Sequence, residues 1–162
     1  MAEDYHQRAA DARALSTQLR TSGPVPMDTL AQRIVIAQEL AHTALADALA
    51  AARADASRTD GGLAVLGCLA RASQHAQEAA ATLSTTLTRS LDHLHRSRIA
   101  TGAPPVTIGP PPHELRQAAA TLLDRVAHQY TQASDLRTRA VTSQPASPTP
   151  AAVPGPSSGR RR

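Results

Sequence analysis

Seven histidines, thirteen carboxylates and one cysteine are the groups of this chain that could do chemistry. Glu39 and His42 stand in Glu-x-x-His spacing, which on a helix is one element of a di-metal carboxylate site inside a bundle. Such a site needs a second Glu-x-x-His and two further inward carboxylates. The chain offers only His75 and Glu78, in the reversed order. Both belong to the polar line of a long helix, while Glu39 and His42 sit beside an inward line rather than on it. No metal ligand set is expected from them. His93 and His95 are two apart, so on a helix they point in different directions and chelate poorly together. Asp124 and His128 read as a surface pair.

Cys68 is the one cysteine. It excludes an intramolecular disulfide and reads as a small apolar filler. No Cys-x-x-Cys, serine nucleophile elbow or glycine-rich phosphate loop is present. Gly61-Gly62 alone is a turn signal. Nothing assembles into a reactive constellation, so the expectation is a protein that is not an enzyme and uses no cofactor.

Basic groups offer a second chemistry. Arg96 and Arg98 close the long helix beside His93 and His95, and Arg160, Arg161 and Arg162 end the chain. They suit contact with a polyanion, with attraction that salt weakens and no reading of sequence. Residues 1–142 hold 14 arginines against 13 acids, so the net +4 comes mostly from the last three residues. A nucleic-acid-binding domain carries a basic stripe on one face. Here the charges are mixed. The chain lacks Lys, Asn, Phe and Trp and has four Ile. These residues have AT-rich codons, so a GC-rich genome accounts for the all-arginine basic set.

The elements that carry these groups read as four helices, at about 3–21, 28–58, 63–100 and 112–142. The expected fold is all-α, an antiparallel up-and-down four-helix bundle over 1–142. Its seams are alanine- and leucine-rich, like those of a coiled coil. The third helix organises the rest. Leu69, Ser73, Ala76, Ala80, Leu83, Leu87, Leu91 and Leu94 form its apolar line, opposite Arg71, Glu78, Arg89 and Asp92. Unbroken, 37 residues span about 55 Å. The first helix has Tyr5, Ala9, Ala12, Leu15 and Leu19 on one line and stops at Ser22-Gly23-Pro24. The second is expected to start near Pro26 to Thr29, capped by Asp28 or Thr29, with Thr29 and Gln32 fitting a capping box. Its inward line runs Leu30, Ile34, Ala37, Ala41, Ala44, Leu45, Ala48 and Ala52. Ile36 and Leu40 widen that line. Thr59 to Gly62 would then reverse the chain.

Five prolines between 103 and 112 exclude helix and favour an extended connection. Pro112 suits the first turn of the fourth helix. Its line is Leu115, Ala119, Leu122, Val126, Ala133, Leu136 and Ala140, flanked by Leu123 and Tyr130 and interrupted by Gln129. Residues 143–162 are almost all Pro, Ser, Ala, Thr and Gly up to the final arginines, with Gln144 and Val153 the exceptions. Such a stretch buries too little apolar surface to offset its ordering entropy, so disorder is expected there.

The polar start, the lone cysteine and the lack of an 18-residue apolar run make the cytoplasm the default location, away from any membrane. A long apolar stripe with a thin core points to association with another protein or with a second copy of the chain. Leu83, Leu87, Leu91 and Leu94 are the candidate contact residues. The alternative is a nucleic-acid-associated accessory protein that uses the arginine tail.

Overall fold

The computed structural model describes residues 2–21, 23–53, 59–99 and 109–142. They form α1 (Ala2–Leu19), α2 (Met27–Arg53), α3 (Asp60–Ile99) and α4 (Pro112–Thr142), with no strand among the described residues. The expected up-and-down bundle is the observed one. Neighbouring helices run antiparallel: Arg71 of α3 bonds Gln129 of α4, and Arg89, further along α3, bonds the Pro110 carbonyl just before α4 begins. Around the bundle the order is α1, α4, α3, α2, and α1 barely touches α2.

The core follows from side-chain size. Alanines at 37, 41, 44, 72, 76, 79, 119, 120 and 127 are buried, which lets backbones approach closely. The bulk comes from Leu30, Leu69, Leu83, Leu123 and Tyr130, all fully buried. Burying a leucine contributes roughly 1.5–3 kcal/mol and an alanine far less, so each of these residues counts for more than an alanine of the seams. On α4 the inward line passes through Leu123 and Tyr130, with Leu122 half-buried and Ala140 exposed. Gln129 lies off that line and reaches Arg71 Nε at 3.2 Å.

Helix ends differ in detail from expectation. α2 begins at Met27, where the Leu30 amide donates to the Pro26 carbonyl at 3.0 Å. Thr29 therefore lies inside the first turn and does not form the cap. α3 begins at Asp60. Thr59 is its cap: its hydroxyl accepts from the Gly62 amide at 3.1 Å, and its carbonyl from the Leu63 amide at 2.9 Å. Gly61 and Gly62 thus form the first helical turn rather than a reversal. Pro112 opens α4 as expected, with Pro111 supplying the carbonyl for the amides of Glu114 and Leu115. Residues 54–58, the 100–108 stretch and the 143–162 tail lie outside the described residues.

Candidate functional site

Glu39 and His42 lie on α2, and His75 and Glu78 on α3. Glu39 lines a shallow groove of about 360 Å³ between α1 and α2, together with Arg8 and Asp11. His42 is exposed on the next face of α2. His75 and Glu78 are on α3, with His75 Nδ1 3.7 Å from the carboxylate. Among the described residues, no three of His, Cys, Asp and Glu gather in metal-binding geometry. Asp124 meets Arg20, just past the end of α1, rather than His128. Cys68 is buried, with Arg71 and Gln132 as its distant polar neighbours at 3.7 and 3.9 Å.

The candidate leucine line divides. Leu83 is fully buried, and Leu87 is half-buried against the core. Leu83 is internal packing, while Leu87 keeps part of its surface exposed. Leu91 and Leu94 are exposed, within the run 91–98 where every residue is exposed. Among the described residues, this end of α3 faces the α1–α2 loop and the start of α4 across a hollow. Arg96 and Arg98 are on the same exposed end. Arg160, Arg161 and Arg162 lie outside the described residues.

Two features build from this arrangement. The first is a hollow of about 820 Å³ at the end of the bundle. Pro24, Val25, Pro26 and Met27 form one wall, and Pro110, Pro111 and Pro112 another. Proline suits a wall because it has no amide hydrogen to leave unsatisfied. The third wall is α3, from Thr86 to Arg96, and includes Arg89, Asp92, His93 and Leu94. His113 and Arg116 enter from the first turns of α4. Arg116 is only 8% exposed; its Nη2 donates to the Gly23 carbonyl at 3.0 Å, and its buried Nη1 has no acceptor. The Nη1 of Arg33 on α2 is also buried without an acceptor. Burial, and then the positive charge of Arg116, hold the Arg33 guanidinium below the ordinary arginine range. Gly109 makes the turn into this end with φ +92, and the Arg89 guanidinium sits where a side chain at 109 would go.

The second feature is the outer face of α2. Leu45 and Ala52 were expected to face inward and instead are exposed. They belong to a second line, Ala31, Val35, Gln38, His42, Leu45, Leu49 and Ala52, in alternating steps of four and three. Every member is exposed, with Val35 at 52%, Leu45 at 44% and Leu49 at 49%. The inward residues Leu30, Ile34, Ala37, Ala41, Ala44 and Ala48 take the other side. α2 is thus apolar on two faces. That is why, contrary to expectation, it is long and apolar enough by length and composition to cross a membrane, with a mean hydropathy of 1.3 over its best window. Asp28 and Arg53 stand at the two ends of the outer line, both exposed, and neither makes an ion pair or hydrogen bond among the described residues.

No protein family, characterised protein or solved structure is detectably similar to this chain.

The sequence reading missed the outer line of α2, although its 4–3 spacing is visible from Asp28 to Ala52. Leu45 is flanked by Ala44 and Ala46, which blurs the two faces together. Arg116 carried no signal at all, since an arginine in a first helical turn reads as solvated.

Proposed function

We propose that the chain is a non-enzymatic association module that pairs with a second copy of itself through the outer face of α2. The observation that carries this reading is the bracketing of an uncovered apolar heptad line by two unpaired opposite charges. Asp28 is in the first turn and Arg53 in the last. A heptad line buries its a and d positions against a partner helix. In an antiparallel pair centred near residue 40, Val35 meets Leu45 of the second copy, and Ala31 meets Leu49. The same register brings Asp28 beside Arg53 at both ends. The contact is self-complementary, as a two-fold interface requires. Gln38 opposite His42 gives a central polar layer, the kind of pairing that fixes register at some cost in stability.

Sedimentation equilibrium on the full chain tests the proposal. A dimer is expected, and Val35→Glu or Leu49→Glu should return it to monomer with the fold intact, since neither residue is in the core. Asp28→Arg or Arg53→Asp alone should raise the dissociation constant about tenfold, from two rim pairs turned repulsive. The double exchange should restore it. A strictly monomeric species at high concentration, or a dimer indifferent to both exchanges, would count decisively against the reading. So would recovery with lipid vesicles in place of dimerisation.

A further inference from the structure

We propose that the hollow between the two proline walls binds a small amphipathic anion: a carboxylate or phosphate head on an apolar body. This site lies away from the outer face of α2 and does not depend on self-association.

The volume, about 820 Å³, is that of a pocket for a small organic molecule. The wall chemistry divides into two zones. Pro24, Val25, Pro26, Met27 and Leu30 on one side, with Leu94 on the other, make an apolar lining. Three arginines, Arg89, Arg96 and Arg116, enter the same space with His93 and His113, against the single carboxylate of Asp92. The cations come from two helices, α3 and α4, so the positive field converges on the hollow rather than on one face of one helix.

Arg116 decides the sign of the ligand. A guanidinium more than nine-tenths buried normally has its donors satisfied, because an unsatisfied buried charge is costly. Arg116 satisfies Nη2 through the Gly23 carbonyl and leaves Nη1 without an acceptor. Arg33, whose own Nη1 is equally unsatisfied, adds like charge to the same neighbourhood. Arg116, buried with Nη1 lacking an acceptor and with the like charge of Arg33 nearby, makes a site that an incoming oxyanion stabilises. Arginine presents a planar fork that fits a carboxylate or phosphate in two-pronged fashion. The first turn of α4, where Pro112 and His113 line the hollow, adds the positive end of a helix dipole. Inorganic phosphate alone would leave the proline and leucine walls wet, so the preferred ligand carries an apolar tail.

Isothermal titration calorimetry on the full chain reads this directly. The probes are octyl phosphate, decanoate, inorganic phosphate and octanol, each below the concentration at which it aggregates. One octyl phosphate or one decanoate should bind per chain, and whichever binds tighter identifies the head group. Inorganic phosphate and octanol should each bind at least tenfold more weakly. Arg116→Gln should weaken the amphipathic anion tenfold or more. Helix content by circular dichroism checks that this variant folds. Arg96→Gln, at an exposed position, should also weaken binding, and it keeps the test valid if the Arg116 variant does not fold. Octanol binding as tightly as octyl phosphate, unchanged affinity in both variants, or no binding by any probe would overturn the proposal.

Discussion

At the end of the bundle that holds the tyrosines, Arg8 has the Asp47 carboxylate at 2.8 Å, and Arg137 lies over the Tyr5 ring, 5.8 Å from its centroid. Tyr130, fully buried, donates its hydroxyl to the same Asp47 at 3.1 Å, and the two rings pack 5.8 Å apart. At the opposite end, Arg33 and Arg116 share a neighbourhood with no carboxylate bound to either among the described residues, and each keeps a buried Nη1 without an acceptor. Both ends hold partly or fully buried cations on a thin alanine core. At the first end a carboxylate stands 2.8 Å from Arg8, although Arg8 Nη1 also lacks a hydrogen bond; at the second, Arg33 and Arg116 have no carboxylate at ion-pair distance among the described residues. Stability is concentrated at the first end and binding capacity at the second, as expected when a site is built from groups that cost the fold energy.

Removing the anchor of the neutralised end should have the largest effect. Tyr130→Ala should cost about 3–5 kcal/mol, because the alanine neighbours cannot collapse into the space. Chemical denaturation followed by circular dichroism measures it. Tyr130 also predicts a pH dependence. Burial first, and then the Asp47 charge, push its hydroxyl well above the ordinary tyrosine value of 10.0, and burial raises Tyr5 as well. Below pH 10 both folded and unfolded chains keep the proton, and stability is unaffected. As pH rises past 10, the unfolded chain ionises first and gains free energy, so stability falls. The denaturation midpoint should therefore drop above pH 10, and Tyr130→Phe should remove much of that drop. A flat profile to pH 11.5 in the unaltered chain would refute the assignment.

Exchanging charges for apolar groups separates the two ends more sharply. Asp47→Ala leaves Arg8 without its countercharge and Tyr130 without its acceptor, and should cost about 1–3 kcal/mol. Arg116→Met removes a cation whose Nη1 has no acceptor in the fold, together with its bond to the Gly23 carbonyl. It should fall between no change and a gain of about 2 kcal/mol. The same variant should lose the amphipathic anion. An Arg116→Met protein as damaged as the Asp47→Ala protein would mean that the guanidinium holds the fold together, and the contrast between the ends would disappear.

The fold was legible because periodicity reports burial. Tyr5, Ala9, Ala12, Leu15 and Leu19 are spaced for one face, and all five are buried. Proline and glycine marked the breaks at 23–26 and 109–112. The leucine line on α3 was only half informative. Periodicity gives the same signal at Leu83 and Leu94, but the surroundings differ: Leu83 is fully buried on a helix that packs against α2 and α4, and Leu94 lines an open hollow. Coverage is a property of neighbours, and a sequence pattern does not state which neighbour runs out first. The outer line of α2 was hidden for the converse reason, since so many alanines satisfy either face. Arg116 was invisible because its burial depends on the Gly23 carbonyl, 93 residues away.

Two glycines give the smallest and most local test of the contrast. Gly109 turns the chain at the unneutralised end with φ +92, a conformation that L side chains rarely adopt. A Cβ there would lie 2.7 Å from Arg89 Nη2 and 2.9 Å from its Cζ, so the guanidinium that bonds the Pro110 carbonyl must move. Gly109→Ala should cost about 1–3 kcal/mol and loosen the rim of the hollow. Gly61, at the tyrosine end, is in the first turn of α3 with nothing within 4 Å of an added Cβ. Thr59 already caps that turn, so alanine needs no new conformation. Gly61→Ala should stabilise the fold by about 0.5–1 kcal/mol, mainly by narrowing the unfolded ensemble. Paired thermal melts resolve both changes. A loss at 61 would show that this turn is strained or that Thr59 does not hold it, and would remove the tyrosine end's claim to be the settled one.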